Sequence, residues 1–432
     1  MATSTPWAFI LFKFSGDDRE PQTLKFFESI FTAAGRGTHG IVDYWETVSH
    51  GQLDLGGSAV FGWFTIDQTL AQWRADQTQL GMDIGALAQL QQSGAASALI
   101  EAAQARVQAG FKKVRADVFE QVLAAARRAD FPLDGFFGVV AVSNVTFDLW
   151  GSSRRALISG EATDLGGLAH EMGHGYGLGH SMDTRRLDYT DWWDIMSYAR
   201  CAMGRFPEHG YFTANCGTGL NAVHLLRLGW LDPARVVTWQ RPAGSGEMTL
   251  RLSALSSPET GEALALRVED QVVEFRFPEG WDNGLPRPCV MVHTEEMVAN
   301  SGVPALTSVL QSAASGRQDG QAGDVFHLMG GADNVLIARF SDYLALRVDT
   351  IDISQRTATV SVVFVEGRNE FEAKPQIQRW VIPGVIGIGP DGQVVPVPPR
   401  QEHSALLSSA AITQLANFVD ARNINAAKIK PR

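Results

Sequence analysis

The chain is poor in cysteine: Cys201, Cys216 and Cys289 are all it has in 432 residues. So small and odd a set excludes a disulfide framework as the source of stability. Cys201 and Cys216 flank a loop and could bridge if the compartment is oxidising; three reduced thiols are the equal alternative. No uninterrupted apolar run approaches the ~20 residues of a membrane span, so no spanning helix is expected. Charged residues are sparse, at 19%, and the net charge of −11 has the wrong sign for nucleic acid, which rewards basic patches. The segment Met1 to Pro6 has no basic n-region, and the apolar stretch Trp7 to Phe12 is short and stops at Lys13, so no secretory leader is expected in this chain. No internal repeat is visible. What remains is an ordinary globular composition, long enough for two or three domains with full cores.

One run stands out from this background. His170-Glu171-Met172-Gly173-His174-Gly175-Tyr176-Gly177-Leu178-Gly179-His180 has the form H-E-x-x-H-x-x-G-x-x-H, and Asp194-Ile195-Met196-Ser197-Tyr198 follows. Residues four apart on a helix share one face, so His170 and His174 can present two imidazoles to one metal. Glu171 is rotated about 100° around the helix axis and can lean over the open side of that metal to take a proton from water. A third ligand continued on the same helix would lie too far along the axis. Gly177 tolerates the left-handed backbone that ends a helix, and the turn returns His180 to the site. Three neutral nitrogens with one position left open are the donor set of a catalytic zinc ion (Zn2+), not of a closed structural one. By composition a bare H-E-x-x-H arises in about one such chain in a hundred, and Gly177 with His180 makes coincidence rarer still.

The run resembles the metzincin zinc endopeptidases, whose hallmark is this extended motif with a later Met-turn. The resemblance implies that Met196 forms an apolar floor beneath the ligands. It also implies that Tyr198 binds the metal or stabilises the oxyanion, as a tyrosine at that place does in astacin- and serralysin-like branches. Asp43-Tyr44-Trp45-Glu46-Thr47-Val48-Ser49-His50-Gly51-Gln52-Leu53-Asp54-Leu55 is similar to an early segment of the immune-inhibitor-A-like and gametolysin-like peptidases, with Thr47 at the family's glutamate position. Leu228-Gly229-Trp230-Leu231, Val273-Glu274-Phe275-Arg276 and Gly280 to Pro286 are similar to them too, so the likeness runs from about residue 7 to 365. It implies a protein or peptide substrate and, for a largely exported family, a secreted protein; a cytoplasmic one stays open. No cysteine precedes the zinc motif, which excludes a latency switch of the matrix-metalloproteinase kind, and the glycine-rich calcium repeats of serralysins are missing. Two other functions compete: a catalytically silent, zinc-dependent binding or adhesion protein, and a hydrolase of short or glycan-linked peptides.

The expected fold class is α+β. A metzincin-like catalytic domain over residues 1–240, with a twisted mixed sheet, a backing helix and an active-site helix, precedes an antiparallel β-sandwich over 241–366. A tail over 367–432 carries a Pro/Gly-rich stretch and a helix around Leu406 to Phe418. Within the first domain, residues 7–14 and 136–142 read as buried strands, 22–50 as mostly helical and 98–129 as a helix with Val114, Val118 and Val122 on one face. Arg155 to Ser159 reads as a strand before the motif helix, with Thr163 or Asp164 as its N-cap. In the family the edge strand before that helix pairs with substrate, and the resemblance gives this place to Arg155 to Ser159. From about Gly246, short alternating runs separated by Gly, Pro, Asp and Asn give the sandwich, among them Val335 to Phe340. Asp183, Asp188, Asp191 and Asp194 crowd the stretch between His180 and Met196. They read as a calcium (Ca2+) site, as carboxylates orienting a ligand histidine, or as a solvated acidic loop.

Overall fold

The computed structural model describes residues 2–147, 149–185, 187–198, 201–296, 306–313, 315–328 and 343–366, with the backbone of two short strands at 386–388 and 394–396. It is a mixed α+β chain in two compact units. The first comprises Met1–Phe12, Arg19–Phe64 and Asp130–Ile382; the second comprises Lys13–Asp18, Thr65–Ala129 and Pro383–Arg432.

The first unit is built on a five-stranded sheet of β1 (Trp7–Ser15), β2 (Ala59–Thr69), β3 (Gly138–Ser143), β4 (Trp150–Ser152) and β5 (Arg155–Ser159), in the order β2-β1-β3-β5-β4. Strands β1, β3 and β5 run parallel, and β4 lies antiparallel on β5. Parallel strands are covered on both faces, which is why Trp7 to Phe12 is apolar throughout and fully buried. Helices α1 (Leu24–Phe31) and α2 (Ile41–Val48) give Phe27, Phe31, Tyr44 and Trp45 to the same core as Trp7, Phe9, Val140 and Ile158. Residue Thr23 caps α1 by accepting from Phe26 N at 3.2 Å.

The second unit is helical: α3 (Leu70–Gln92), α4 (Ser97–Phe111) and α5 (Asp117–Arg128), with one π-helical turn at Lys112–Ala116. Val114, Val118 and Val122 are buried as their spacing predicts. Trp73 Nε1–H donates to the Val114 carbonyl at 3.2 Å and ties α3 to the π turn.

Beyond the motif helix, α6 (Leu165–Gly175), two sheets face each other. One has six strands: β6 (Ser181–Asp183), β7 (Val236–Thr238), β9 (Ala265–Val268), β10 (Gln271–Arg276), β11 (Cys289–Glu296) and β12 (Leu306–Val309), in the order β6-β12-β11-β10-β9-β7. The other has four: β8 (Gly246–Ser253), β13 (Val325–His327), β14 (Tyr343–Asp352) and β15 (Thr357–Val365), in the order β8-β15-β14-β13. Their inner faces share one core, with Leu266, Val273, Phe275 and Val290 meeting Leu252, Leu346, Val360 and Val362.

Two expectations change. The division at residue 240 does not separate the sandwich from what precedes it. Both β6 and β7 come from the first 240 residues, and β6 pairs in parallel with β12 through Ser181↔Thr307 and Asp183↔Val309. Second, β5 is not an edge. It is hydrogen-bonded to β3 on one side and to β4 on the other, because the chain turns back at Ser153-Arg154 before entering it. On the side of the sheet next to the motif helix the edge strand is β4, and β2 is the opposite edge. The tail helix around Leu406 to Phe418 and the strand Val335 to Phe340 lie outside the described residues; Ile386–Ile388 and Val394–Pro396 form an antiparallel pair.

Candidate metal site

Helix α6 begins at Asp164, whose Oδ1 accepts from Gly167 N at 2.9 Å, so of the two expected caps Asp164 takes the role. Four of its eleven residues are glycine. Glycine weakens an isolated helix by about 1 kcal/mol each relative to alanine, so packing, not propensity, makes this segment helical. The glycines are where neighbours close in. A Cβ on Gly173 would collide with the Met196 sulfur. Met196 is fully buried and lies against α6 at the residue between the two ligands.

His170 and His174 bring their Nε2 atoms to 3.1 Å of each other. The His170 Nδ1–H donates to the Ile195 carbonyl at 2.9 Å, and the His174 Nδ1–H donates to the Leu178 carbonyl at 2.9 Å. A carbonyl only accepts, so both protons sit on Nδ1 and both Nε2 atoms present lone pairs. Two lone pairs facing each other suit a cation between them. The distance suits one: two nitrogens on a tetrahedral ion with 2.0–2.1 Å bonds stand about 3.3 Å apart. Gly177, at φ +90°, turns the chain back, and His180 joins the pair. One ring nitrogen from each of the three lies within 4.8 Å of the others, and the set can hold a metal ion.

The electrostatics agree. Burial, then the two neighbouring imidazoles, push His170 well below the usual histidine range and bring His174 down to about 4. Both rings are therefore neutral at pH 7, the form that ligates.

Glu171 is buried beside the ligands. Its Oε2 and its carbonyl oxygen lie against Gly151 of β4, where a Cβ would stand 2.8 Å from Oε2 and nearer still to the carbonyl. The edge strand and the motif glutamate are thus in direct contact, which only glycine at 151 permits.

Tyr198 lies between the helix cap and His170. Its hydroxyl donates to Asp164 Oδ1 at 2.8 Å, while Asn215 Nδ2 donates to Oδ2 of the same carboxylate at 3.1 Å. Its ring centre is 6.0 Å from that of His170. The Tyr189 hydroxyl lies 3.3 Å from His180 Nε2, with the two ring centres 4.6 Å apart. Tyr189 holds φ at +63°, a conformation that costs a non-glycine residue about 1–2 kcal/mol. Nothing in the sequence marks Tyr189, which stands in a stretch whose visible signal is its four carboxylates.

Those four carboxylates serve separate partners. Asp183 pairs with Arg185, and exposed Asp188 stands 3.5 Å from His180 Nδ1. Asp191 accepts from Ser181 and from His293 Nε2, the latter at 2.9 Å. Asp194 accepts from Met196 N at 2.9 Å and so shapes the turn that offers the Ile195 carbonyl to His170. Among the described residues the histidine triple is the one group of three or more histidine, cysteine or acidic side chains close enough to hold an ion. All three cysteines are free thiols, and burial raises each above the usual thiol range.

Behind the turn lies a buried charged row. His293 Nδ1 is 3.8 Å from Glu274, Glu274 is 3.1 Å from Arg276 Nη1, and Arg276 Nε donates to Asp282 at 2.9 Å. Burial opposes the charge on His293, but the Asp191 carboxylate outweighs it and the net shift is upward.

The chain matches no protein-family model and no curated protein. Among the described residues no helix is long and apolar enough to cross a membrane.

Proposed function

We propose that the protein is a zinc-dependent endopeptidase of the metzincin type. The observation that carries this reading is the convergence of two fixed Nε2 lone pairs and His180 beside a buried Glu171 on an edge strand. Imidazole donors suit several transition metals, and three of them with an open position favour catalytic zinc. Zinc in such a set supplies Lewis acidity and a water acidic enough to lose its proton near neutral pH.

The protein's own groups do the rest. The Ile195 and Leu178 carbonyls hold the histidine tautomers, and Met196 supports the helix from below. The Glu171 carboxylate takes the proton of the attacking water and hands one to the leaving amine. An extended substrate adds to β4, its backbone amides and carbonyls pairing with the strand edge. We assign the oxyanion-side hydroxyl to Tyr189, since the Tyr198 hydroxyl is engaged by the helix cap.

The test is hydrolysis of casein by the purified protein, before and after chelation and with zinc restored. Glu171→Ala should retain stoichiometric zinc and lose nearly all cleavage. Full activity in that variant would remove Glu171 as the base. A wild type that binds zinc tightly yet cleaves neither casein nor a peptide library would instead be a silent binding protein.

A further inference from the structure

We propose that the cavity beside His174 is a side-chain pocket for an acidic residue of the substrate, and that Arg154 reads that residue. The proposal rests on the peptidase reading above.

The cavity encloses about 760 Å³, and its walls include Phe137, Ser152, Arg154, His174 and Tyr176. It opens beside a ligand histidine and along the edge strand, where a side chain of a strand-added peptide would project. No carboxylate is among the residues that line it. In a chain of net charge −11, a cavity whose one fixed charge is a guanidinium selects for an anion.

Arg154 is exposed and meets no carboxylate among the described residues. It is nevertheless held in place. Its guanidinium lies 4.3 Å over the Phe137 ring. Phe137 stacks on Tyr176, with centroids 5.2 Å apart and planes at 26°. The Tyr176 hydroxyl accepts from Trp7 Nε1 at 3.0 Å, deep in the core. The cation thus caps an aromatic stack anchored in the sheet, which orders it before any ligand arrives.

The backbone points the same way. Ser153 and Arg154 form the two-residue turn between β4 and β5 with φ of +48° and +65°. Such turns favour Asn-Gly, because both central positions are left-handed. Serine and arginine hold that geometry at a conformational cost, and arginine at the second place aims a charge at the cavity. Local strain of this kind gathers at binding sites.

A charge-assisted hydrogen bond to a carboxylate is worth about tenfold or more in affinity. The experiment profiles cleavage of a peptide library by wild type, Arg154→Glu and Arg154→Lys. In parallel, fluorescence anisotropy measures binding of matched Glu- and Gln-containing peptides to the zinc-loaded Glu171→Ala protein, with and without Arg154→Glu. Wild type should prefer Asp or Glu at one position by about tenfold in kcat/KM, more weakly at high salt. Arg154→Glu should reverse the preference towards Lys or Arg, and Arg154→Lys should keep part of it. Cleavage with no charge preference, or one that Arg154→Glu leaves intact, overturns the pocket and leaves the peptidase standing. Arg154-dependent binding of the Glu peptide in a protein that cleaves nothing supports the pocket and overturns the peptidase.

Discussion

Gly151→Ala is the substitution that most directly probes how the edge strand and the motif helix meet. The added Cβ would stand 2.8 Å from Glu171 Oε2, where ordinary Cβ contacts begin at 3.4 Å, and its clash with the Glu171 carbonyl is worse. That carbonyl belongs to a helix closely packed along its length, so it cannot swing aside as a side-chain tip could. Strand and helix must part by on the order of 1 Å, and a displacement of that size near a reacting centre costs about 10²-fold in rate. Overpacking of a tight interior contact costs about 1–3 kcal/mol in stability. The metal should be little affected, because the two histidine tautomers are held by the Ile195 and Leu178 carbonyls and not by Gly151. We therefore expect kcat/KM on a peptide substrate to fall about 10²-fold while zinc affinity, from competition with a chromophoric chelator, stays within a few-fold. Unchanged kcat/KM would mean that the Glu171 position does not depend on the edge strand. Loss of zinc together with activity would mean that the substitution unfolds the site rather than spreading it.

Tyr189→Phe should lower kcat about 10²–10³-fold, the usual cost of one oxyanion donor, with no change in Tm. Tyr198→Phe should cost about 1 kcal/mol through its lost hydrogen bond to Asp164 and change kcat only a few-fold; the reverse ranking in steady-state kinetics would return the catalytic role to Tyr198. Arg276→Ala leaves Glu274 and Asp282 buried without their cation, which should cost about 3–5 kcal/mol in denaturant unfolding; a loss below 1 kcal/mol would show that the row is not desolvated. The metal-free protein should lose stability in two pH windows, one below 6.5 and one above it. His174, held down to about 4, stays neutral while the unfolded chain takes up a proton, so stability falls as pH drops from 6.5 towards 4, by up to about 1.4 kcal/mol per pH unit for one proton. His293 is shifted upward, so its contribution is complete below 6.5 and is lost as pH rises through its raised value. Urea midpoints across pH for wild type and His293→Asn test this, and an unaltered alkaline limb in the variant would exclude His293 as its source.

Much of the site could be read from spacing. The i, i+4 histidines and Asp164 are local patterns, and the structure realises them as one capped helix, α6. Gly177 bends where a left-handed residue was needed. Strands β1 and β3 were legible because doubly covered strands are apolar throughout. The rest needed the third dimension. Strand β4 is three residues followed by Ser153, Arg154 and Arg155, which reads as a polar loop and becomes a strand only by pairing with β5. Helix α3 buries only Trp73 and Leu80, too little for a helical period to show in its sequence. Strands β6, β7 and β12 have three or four residues each, and long-range partners give them their order. Tyr189 reaches His180 through the path of a loop, which no spacing rule encodes.

The strand β6 begins at the residue after His180 and is stitched to β12, more than a hundred residues later in the chain. His180 therefore sits at the seam where the two sandwich sheets are sewn to the chain around the motif helix. The halves cannot be traded as independent modules: a chain cut or recombined near residue 240 would leave both pieces with an unfinished sheet, and the torn edge would fall beside the histidine triple.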